Sequence, residues 1–219
     1  MIKNLVFDLG NVLIEWNPTK ILTYFAADEE DRERVREAVF DSGLWARTDS
    51  GELSLEEASR TASALLPPEL ASAVQNIFYH WYEVVAVYQD LQKKIEAWSQ
   101  QGYRIYILST TCEIFYHIEK AGLLPIYPLL SGYILSSEVG AVKPDREIYL
   151  ELLEKYHLQA EECVFIDDIE ANLEAAADLG FATILAKSEA ENIWSLEALL
   201  AVQGEFQSSD KSSDLDFLP

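Results

Sequence analysis

The sequence predicts an α/β fold: a doubly wound parallel sheet with an inserted helical unit. Three observations predict it. A short apolar strand stands alone near the start. Residues 18–88 show helical spacing and no convincing strand. From residue 89 onward, strand and helix patterns alternate. Residues 2–8, Ile-Lys-Asn-Leu-Val-Phe-Asp, form the first strand, closed by an acid and Gly10. Within the helical stretch, Leu70, Val74, Ile77, Trp81, Val84 and Tyr88 recur at steps of three and four, the stripe of one amphipathic helix. Asp49-Ser50-Gly51-Glu52 reads as a turn. Beyond it Ser54 precedes Glu57 by three, a capping-box pattern that starts a new helix.

The second half gives helices at Gln89–Gln101, Glu113–Ala121, Arg146–Tyr156, Glu170–Leu179 and Asn192–Leu200. Strands fall at Arg104–Leu108, Gly132–Leu135, Cys163–Ile166 and Ala182–Leu185. Gly102 and Gly180 sit where they can end helices. The first strand belongs to the same sheet as the later ones. Residues 1–15 and 89–200 are therefore the α/β core, and 16–88 an insertion. Residues 201–219, rich in serine and acids, read as an acidic tail without a fixed fold.

Composition narrows the function. The chain has 219 residues, 49% hydrophobic and 25% charged, ordinary for a folded globule. Its net charge of −22 excludes nucleic acid as a default partner and argues against an anionic membrane surface. No apolar run approaches the ~20 residues of a membrane span, and the N-terminal run is too short for a signal peptide. Cytoplasmic location is the expectation, as monomer or homodimer. Cys112 and Cys163 form no CxxC pair and read as free thiols, and His80, His117 and His157 have no zinc spacing.

Ligands of open α/β sheets bind outside the carboxyl ends of the strands. There the sequence places Asp8-Leu9-Gly10-Asn11, Ser109-Thr110-Thr111 and Asp167-Asp168. Lys143 precedes Pro144, which disfavours helical geometry and leaves the lysine extended, its amine free to reach inward. Three carboxylates on one rim repel unless a cation joins them. Hard oxygen ligands suit Mg²⁺. Carboxylate, magnesium, lysine and hydroxyl together make a phosphoryl-transfer site. Simpler roles stand beside these: Asp167 and Asp168 as helix N-terminal acids, Ser109 and Thr111 as caps.

Four segments, in order and spacing, resemble the motifs of the haloacid dehalogenase-like hydrolases: Phe7-Asp8-Leu9-Gly10-Asn11-Val12-Leu13, Leu108-Ser109-Thr110, Val142-Lys143-Pro144 and Phe165-Ile166-Asp167-Asp168. The resemblance covers residues 1 to about 200, and the insertion matches that family's small helical cap on a Rossmann-like core. Phe-Asp-Leu-Gly-Asn-Val is similar to a branch that includes a bacterial α-D-glucose-1-phosphate phosphatase. The resemblance implies that Asp8 is a nucleophile forming an aspartyl-phosphate. Asp8, Asp168 and the Gly10 carbonyl would ligate Mg²⁺, with Asp167 ligating directly or through water. It implies that Ser109 binds a phosphate oxygen and that Lys143 neutralises charge. Thr110 and Asn11 are further candidates for substrate contact. Asn172, four residues after Asp168, would orient the metal shell.

Two positions depart from the family pattern. Gly10 stands where many family phosphatases carry an acid–base Asp. Such help is worth roughly 10²–10⁴-fold, so good leaving groups are expected, unless Glu15 or a cap residue supplies the proton. Thr110 replaces the related branch's Asn. Specificity falls to the cap, where Leu44–Asp49 is the candidate for leaving-group contacts. Trp45 either stacks on a sugar ring or packs in the cap, and Arg47 either meets a second anion or lies on the surface. The expected function is a Mg²⁺-dependent phosphatase of a small phosphorylated metabolite such as a sugar phosphate. The rivals are a haloacid dehalogenase, against which Gly10 and Asp168 speak, and an inactive binding protein on the same scaffold.

Overall fold

The computed structural model describes residues 1–210. Five parallel strands form one sheet: β1 (Asn4–Phe7), β2 (Arg104–Ser109), β3 (Leu130–Leu135), β4 (Cys163–Asp167) and β5 (Ala182–Leu185), in the order β3-β2-β1-β4-β5. Each strand lies within two residues of its sequence-based span. β1 and β4 are buried along their whole length, which is why both read as continuous apolar runs. Side chains alternate across the sheet. Leu5 and Phe7 of β1 face the layer of α6 (Gln89–Gln100), α7 (Ile114–Lys120) and α11 (Glu189–Asp210), packing with Leu91, Ile95, Phe115, Ile118 and Leu196. Val6 faces α9 (Arg146–Tyr156) and α10 (Glu170–Ala177), with Ile148, Tyr149, Leu152 and Leu173. From β1 the chain runs outward through β2 and β3, then returns to β1's other side with β4. The carboxyl ends of β1 and β4 flank the point where strand order reverses, the expected place for a ligand.

Between β1 and α6 lie five helices: α1 (Pro18–Phe25), α2 (Glu29–Arg36), α3 (Leu44–Asp49), α4 (Leu55–Ala64) and α5 (Ala71–His80). The Ser54–Glu57 capping box is present at α4. Ile21, Val35, Val74, Ile77 and Phe78 fill this unit's interior, which is continuous with the core. The stripe from Leu70 to Tyr88 is not one helix. α5 ends at His80, and a single 3₁₀ turn, Trp81–Glu83, follows. The reason is the destination of the next backbone groups. Glu15 N–H donates to the Ala86 carbonyl (2.8 Å), Tyr88 N–H donates to the Leu13 carbonyl (3.0 Å), and Ile14 bridges Val87. Outgoing and returning chains thus pair with each other, and residues 86–88 are unavailable to a helix.

The last helix also differs from the expected Asn192–Leu200. α11 begins at Glu189, where the Ser188 hydroxyl caps the Glu191 N–H, and runs through Asp210. Residues 201–210, read from sequence as the start of a tail, continue the helix, because a drop in apolar content is not by itself a stop signal. The tail's remainder, 211–219, lies outside the described residues. Both cysteines are free and buried, and burial pushes Cys112 to about 12 and Cys163 to about 11, so neither is a thiolate at neutral pH. Among the described residues no helix is long and apolar enough to cross a membrane.

Candidate active site

Asp8 follows the last residue of β1, Asp167 ends β4, and Asp168 comes next. One carboxylate oxygen from each lies within 4.8 Å of the others. The backbone fixes this convergence, since Phe7 is paired in register with Ile166. Lys143 closes the cluster. Its amine lies 2.8 Å from Asp8 Oδ1 and 2.6 Å from Asp167 Oδ2, and its aliphatic stem is buried. Lys143 lies in a turn before Pro144, and its amine reaches inward to the two carboxylates that hold it. Lys143 also sits over the Phe165 ring at 5.3 Å, and its backbone N–H donates to the Thr110 hydroxyl (3.2 Å). Thr110 therefore ties the lysine loop to the end of β2.

The three acids have different surroundings. Asp167 is fully buried and saturated. Its oxygens accept from Lys143, from Asn172 Nδ2 (3.0 and 3.1 Å) and from the Ile169 N–H (2.8 Å). Such a carboxylate holds Lys143 and leaves little lone-pair capacity for a cation. Asn172 orients Asp167 and is fixed in turn through its carbonyl, which accepts from the Tyr149 hydroxyl (2.8 Å). Asp168 is less buried and accepts from Asn11 Nδ2 (2.9 Å). Asn11 itself is left-handed, φ 54°, and its side-chain oxygen accepts from the Trp16 N–H, so it shapes the turn after β1. Asp8 takes hydrogen bonds on Oδ1 alone, from the Leu9 N–H (2.7 Å) and Lys143. Among the described residues none falls on Oδ2. Burial pushes Asp8 up to about 6, opposed by the nearby Lys143 charge and reinforced by Asp167. Hard oxygen donors with unengaged lone pairs on Asp8 and Asp168, beside the Gly10 backbone, fit Mg²⁺.

Above this floor is a cavity of about 260 Å³. Asp8, Gly10, Asn11, Ser109, Thr110, Lys143, Asp168 and Asn172 line it from the core, and Trp16, Trp45, Asp49 and Trp81 from the insertion side. The indoles pack together, with Trp16 4.9 Å from Trp45 and 4.8 Å from Trp81 between ring centroids. Trp45 takes the packing role, stacked on Phe78 in the insertion's interior, and it also lines the cavity. Arg47 takes the surface role: one step round α3, its guanidinium pairs with Glu52 (3.1 Å), and it does not line the cavity. Glu15 is likewise turned away. Its carboxylate holds Lys20 and the Ala86 N–H, and those hydrogen bonds keep it below the usual carboxylate range.

With this geometry in place, comparison is decisive. The family model described as haloacid dehalogenase-like hydrolase matches residues 2–180. The chain belongs to the haloacid dehalogenase-like hydrolases. Among curated relatives of this hydrolase, D-ribitol-5-phosphate phosphatase of Bacteroides thetaiotaomicron is 25% identical over 202 residues, covering 87% of this chain and 95% of the relative. A solved structure of a predicted haloacid dehalogenase-like hydrolase from Porphyromonas gingivalis superposes with a TM-score of 0.74 at 27% identity, covering 91% of this chain and 98% of that one. An enzyme of the family from Bacteroides thetaiotaomicron, solved with magnesium and inorganic phosphate, superposes at 0.68 with 24% identity, over 85% of this chain and 95% of that one. The latter shows the shared fold.

Sequence reasoning placed Asp49 at the end of the candidate segment Leu44–Asp49 without singling it out, and it missed Trp16 and Trp81 as cavity residues. Asp49 follows Trp45 by four on α3, so the two share a helix face, and that spacing was the available signal. Trp16 and Trp81 flank the crossings between insertion and core, and nothing local marks them as cavity residues.

Proposed function

We propose that this hydrolase is a magnesium-dependent, cytoplasmic phosphatase of a small sugar or sugar-alcohol phosphate, acting through an aspartyl-phosphate on Asp8. The carrying observation is the Asp8–Lys143–Asp168 arrangement on the cavity floor: a nucleophile with one oxygen held and the other unengaged, a buried ammonium, and a second carboxylate for a metal. The name of the ribitol-phosphate relative supports a polyol substrate. So does the cavity, where Lys143 is the sole cationic side chain among the described lining residues, enough for one phosphate and no further anion. The walls are indole faces, which pack on the C–H surfaces of a sugar or polyol. Trp81's indole N–H is buried without a partner among the described residues, and a substrate hydroxyl reaching it would satisfy it.

Held by Asp8, Asp168 and the Gly10 carbonyl, magnesium would draw charge from the phosphoryl oxygens. The chain's own groups do the rest. Lys143 screens Asp8 from the approaching phosphate dianion. The Ser109 hydroxyl donates to a phosphate oxygen. Asp167 and Asn172 keep the lysine aimed. Asp8 attacks phosphorus, and water then hydrolyses the acyl phosphate.

The test is hydrolysis of p-nitrophenyl phosphate and of a sugar-phosphate panel, with and without Mg²⁺, in wild type and Asp8→Asn. Metal-dependent turnover that drops by at least about 10³-fold in the variant is expected, since losing a nucleophile removes the covalent route. Turnover that survives Asp8→Asn would end the proposal. Chloride release from a 2-haloacid without metal would replace it with a dehalogenase.

A further inference from the structure

Gly10 leaves this enzyme without the side chain that would hand a proton to the leaving group, and among the described residues of the floor no other acid is free for that task. Lys143 is engaged with two carboxylates, and Glu15 lies outside the cavity in an ion pair with Lys20. Among the described residues the roof has one acid. Asp49 ends α3 and lines the same cavity as Asp8, among the indoles of Trp16, Trp45 and Trp81.

Its position relative to the core is fixed. The Asp49 carbonyl accepts from the Ser136 hydroxyl (2.5 Å), and the Ser136 oxygen in turn accepts from the Thr111 N–H (2.9 Å), two residues past Ser109. Two residues along, Gly51 (φ +79°) lies so close to the core that a Cβ would stand 2.3 Å from the Ser137 carbonyl oxygen. The end of α3 is thus seated on Ser136 and Ser137 after β3, and Ser136 in turn holds the loop after β2 at Thr111.

We propose that Asp49 is the acid–base residue of this enzyme, doing from the cap what Gly10 cannot do from the floor. The inference rests on the phosphatase reading above. In the first half-reaction an Asp8 oxygen bonds to phosphorus as the phosphorus–oxygen bond to the leaving group breaks. The freed electron pair stays on that oxygen, which takes the Asp49 proton and departs as an alcohol. In the second, a water oxygen bonds to phosphorus and gives its proton to the Asp49 carboxylate. The Asp8–phosphorus bond breaks, restoring both residues.

The surroundings suit a donor. Burial pushes Asp49 up to about 8, with a hydrogen bond from the Trp45 indole pulling the other way, so the residue carries its proton at neutral pH. The groups about it are that indole on its own helix and the Cys112 thiol from the loop after β2, while Asp8, Asp168 and Lys143 line the same cavity. With Asp49 as donor, the restriction to good leaving groups expected from Gly10 is lifted, and alkyl phosphates become substrates.

The experiment is a leaving-group series of p-nitrophenyl, phenyl and glycerol phosphates on the magnesium-loaded enzyme, comparing wild type with Asp49→Asn by kcat/KM. Thermal melting serves as the folding control. The expected result is a shallow dependence on leaving-group acidity in wild type and a steep one in the variant. The glycerol-to-p-nitrophenyl ratio should fall by about 10²-fold or more. An infrared difference spectrum between the two proteins should show a protonated carboxyl at pH 7 in wild type alone. An equal drop across the series, with the slope unchanged, makes Asp49 a packing residue and overturns the proposal, as does a spectrum without the protonated carboxyl. If wild type hydrolyses none of the three esters, the phosphatase reading itself fails and takes this inference with it. A melting curve that collapses in Asp49→Asn is answered by Asp49→Glu, which restores a carboxyl and should recover the shallow slope. No recovery overturns the proposal.

Discussion

The floor and the roof of the cavity are built on opposite principles. On the floor, charges meet in a small volume and are cross-tied: Lys143 touches two carboxylates, Asp167 accepts from three residues, and Asn11 holds Asp168. On the roof, three indoles pack on one another around one acid that has no cation beside it. In the proposed phosphatase, a dense ionic floor would bind and attack a phosphoryl group whatever it is attached to. An aromatic roof with few polar groups would sense the shape of the remainder, and desolvation there raises the pKa of the half-buried acid. Both Asp8 and Asp49 are raised by burial, but Asp8 is pulled back by Lys143 while Asp49 has a hydrogen bond in place of a countercharge.

The strongest way to break the contrast is Lys143→Met. It leaves Asp8 and Asp167 buried without their cation, a loss of about 3–5 kcal/mol in metal-free urea unfolding. Asp8, already raised by burial, then loses the charge that pulls it back. The loss is therefore greatest at high pH and recovers as pH falls and Asp8 protonates. Activity should drop by about 10²–10³-fold, measured as kcat/KM. If stability is unchanged at pH 8, the cross-tied floor is not what holds the strand ends together.

The floor was largely legible in the sequence because its residues sit at strand ends, and strand ends follow from short apolar runs closed by Asp8, Ser109 and Asp167. The roof was not. Arg47 had the right charge and sits in the right segment, but one step round α3 takes it to solvent, while Asp49 shares Trp45's face. A stripe that includes Val84 and Tyr88 marks burial without saying that a helix supplies it, and α5 stops at His80 because residues 86–88 bond to residues 13–15. Adjacency to Asp168 makes Asp167 a candidate ligand, directly or through water, and it lies in the same cluster; its hydrogen bonds to Lys143 and Asn172 are invisible to spacing.

Trp16→Ala sharpens the comparison from above. Removing an indole that packs on two others and lines the cavity should raise KM for a sugar phosphate about tenfold, the value of one aromatic contact, with a smaller change in kcat. A matching fall in kcat with KM unmoved would give the roof a role in chemistry in place of recognition.

The remaining expected effect is on stability and its dependence on pH. Folded Asp49 holds its proton up to about pH 8, whereas an unfolded one releases it near the ordinary aspartate value of 3.8. Between those limits the folded state binds the extra proton, so this group's contribution to stability falls as pH rises, at most about 1.4 kcal/mol per unit. Asp49→Asn removes the dependence. Its melting temperature relative to wild type should climb from pH 5 to pH 8 and level off above. A constant offset across that range would mean that the roof does not raise the acid.

The pairing of the outgoing and returning chains at Ile14 and Val87 bears on how the molecule folds. β1 and β2 are hydrogen-bonded neighbours, with Asn4 opposite Arg104. Closing so long a segment is entropically costly and slow. If the insertion organises first and its two ends bond at residues 13–15 and 86–88, the span left to close shrinks to an ordinary helical crossover through α6. Early hydrogen-exchange protection in α4 and α5, ahead of β1, is the order this implies. The unit that roofs the cavity in the finished enzyme would then serve, during folding, as the clasp that brings the central strands within reach of each other.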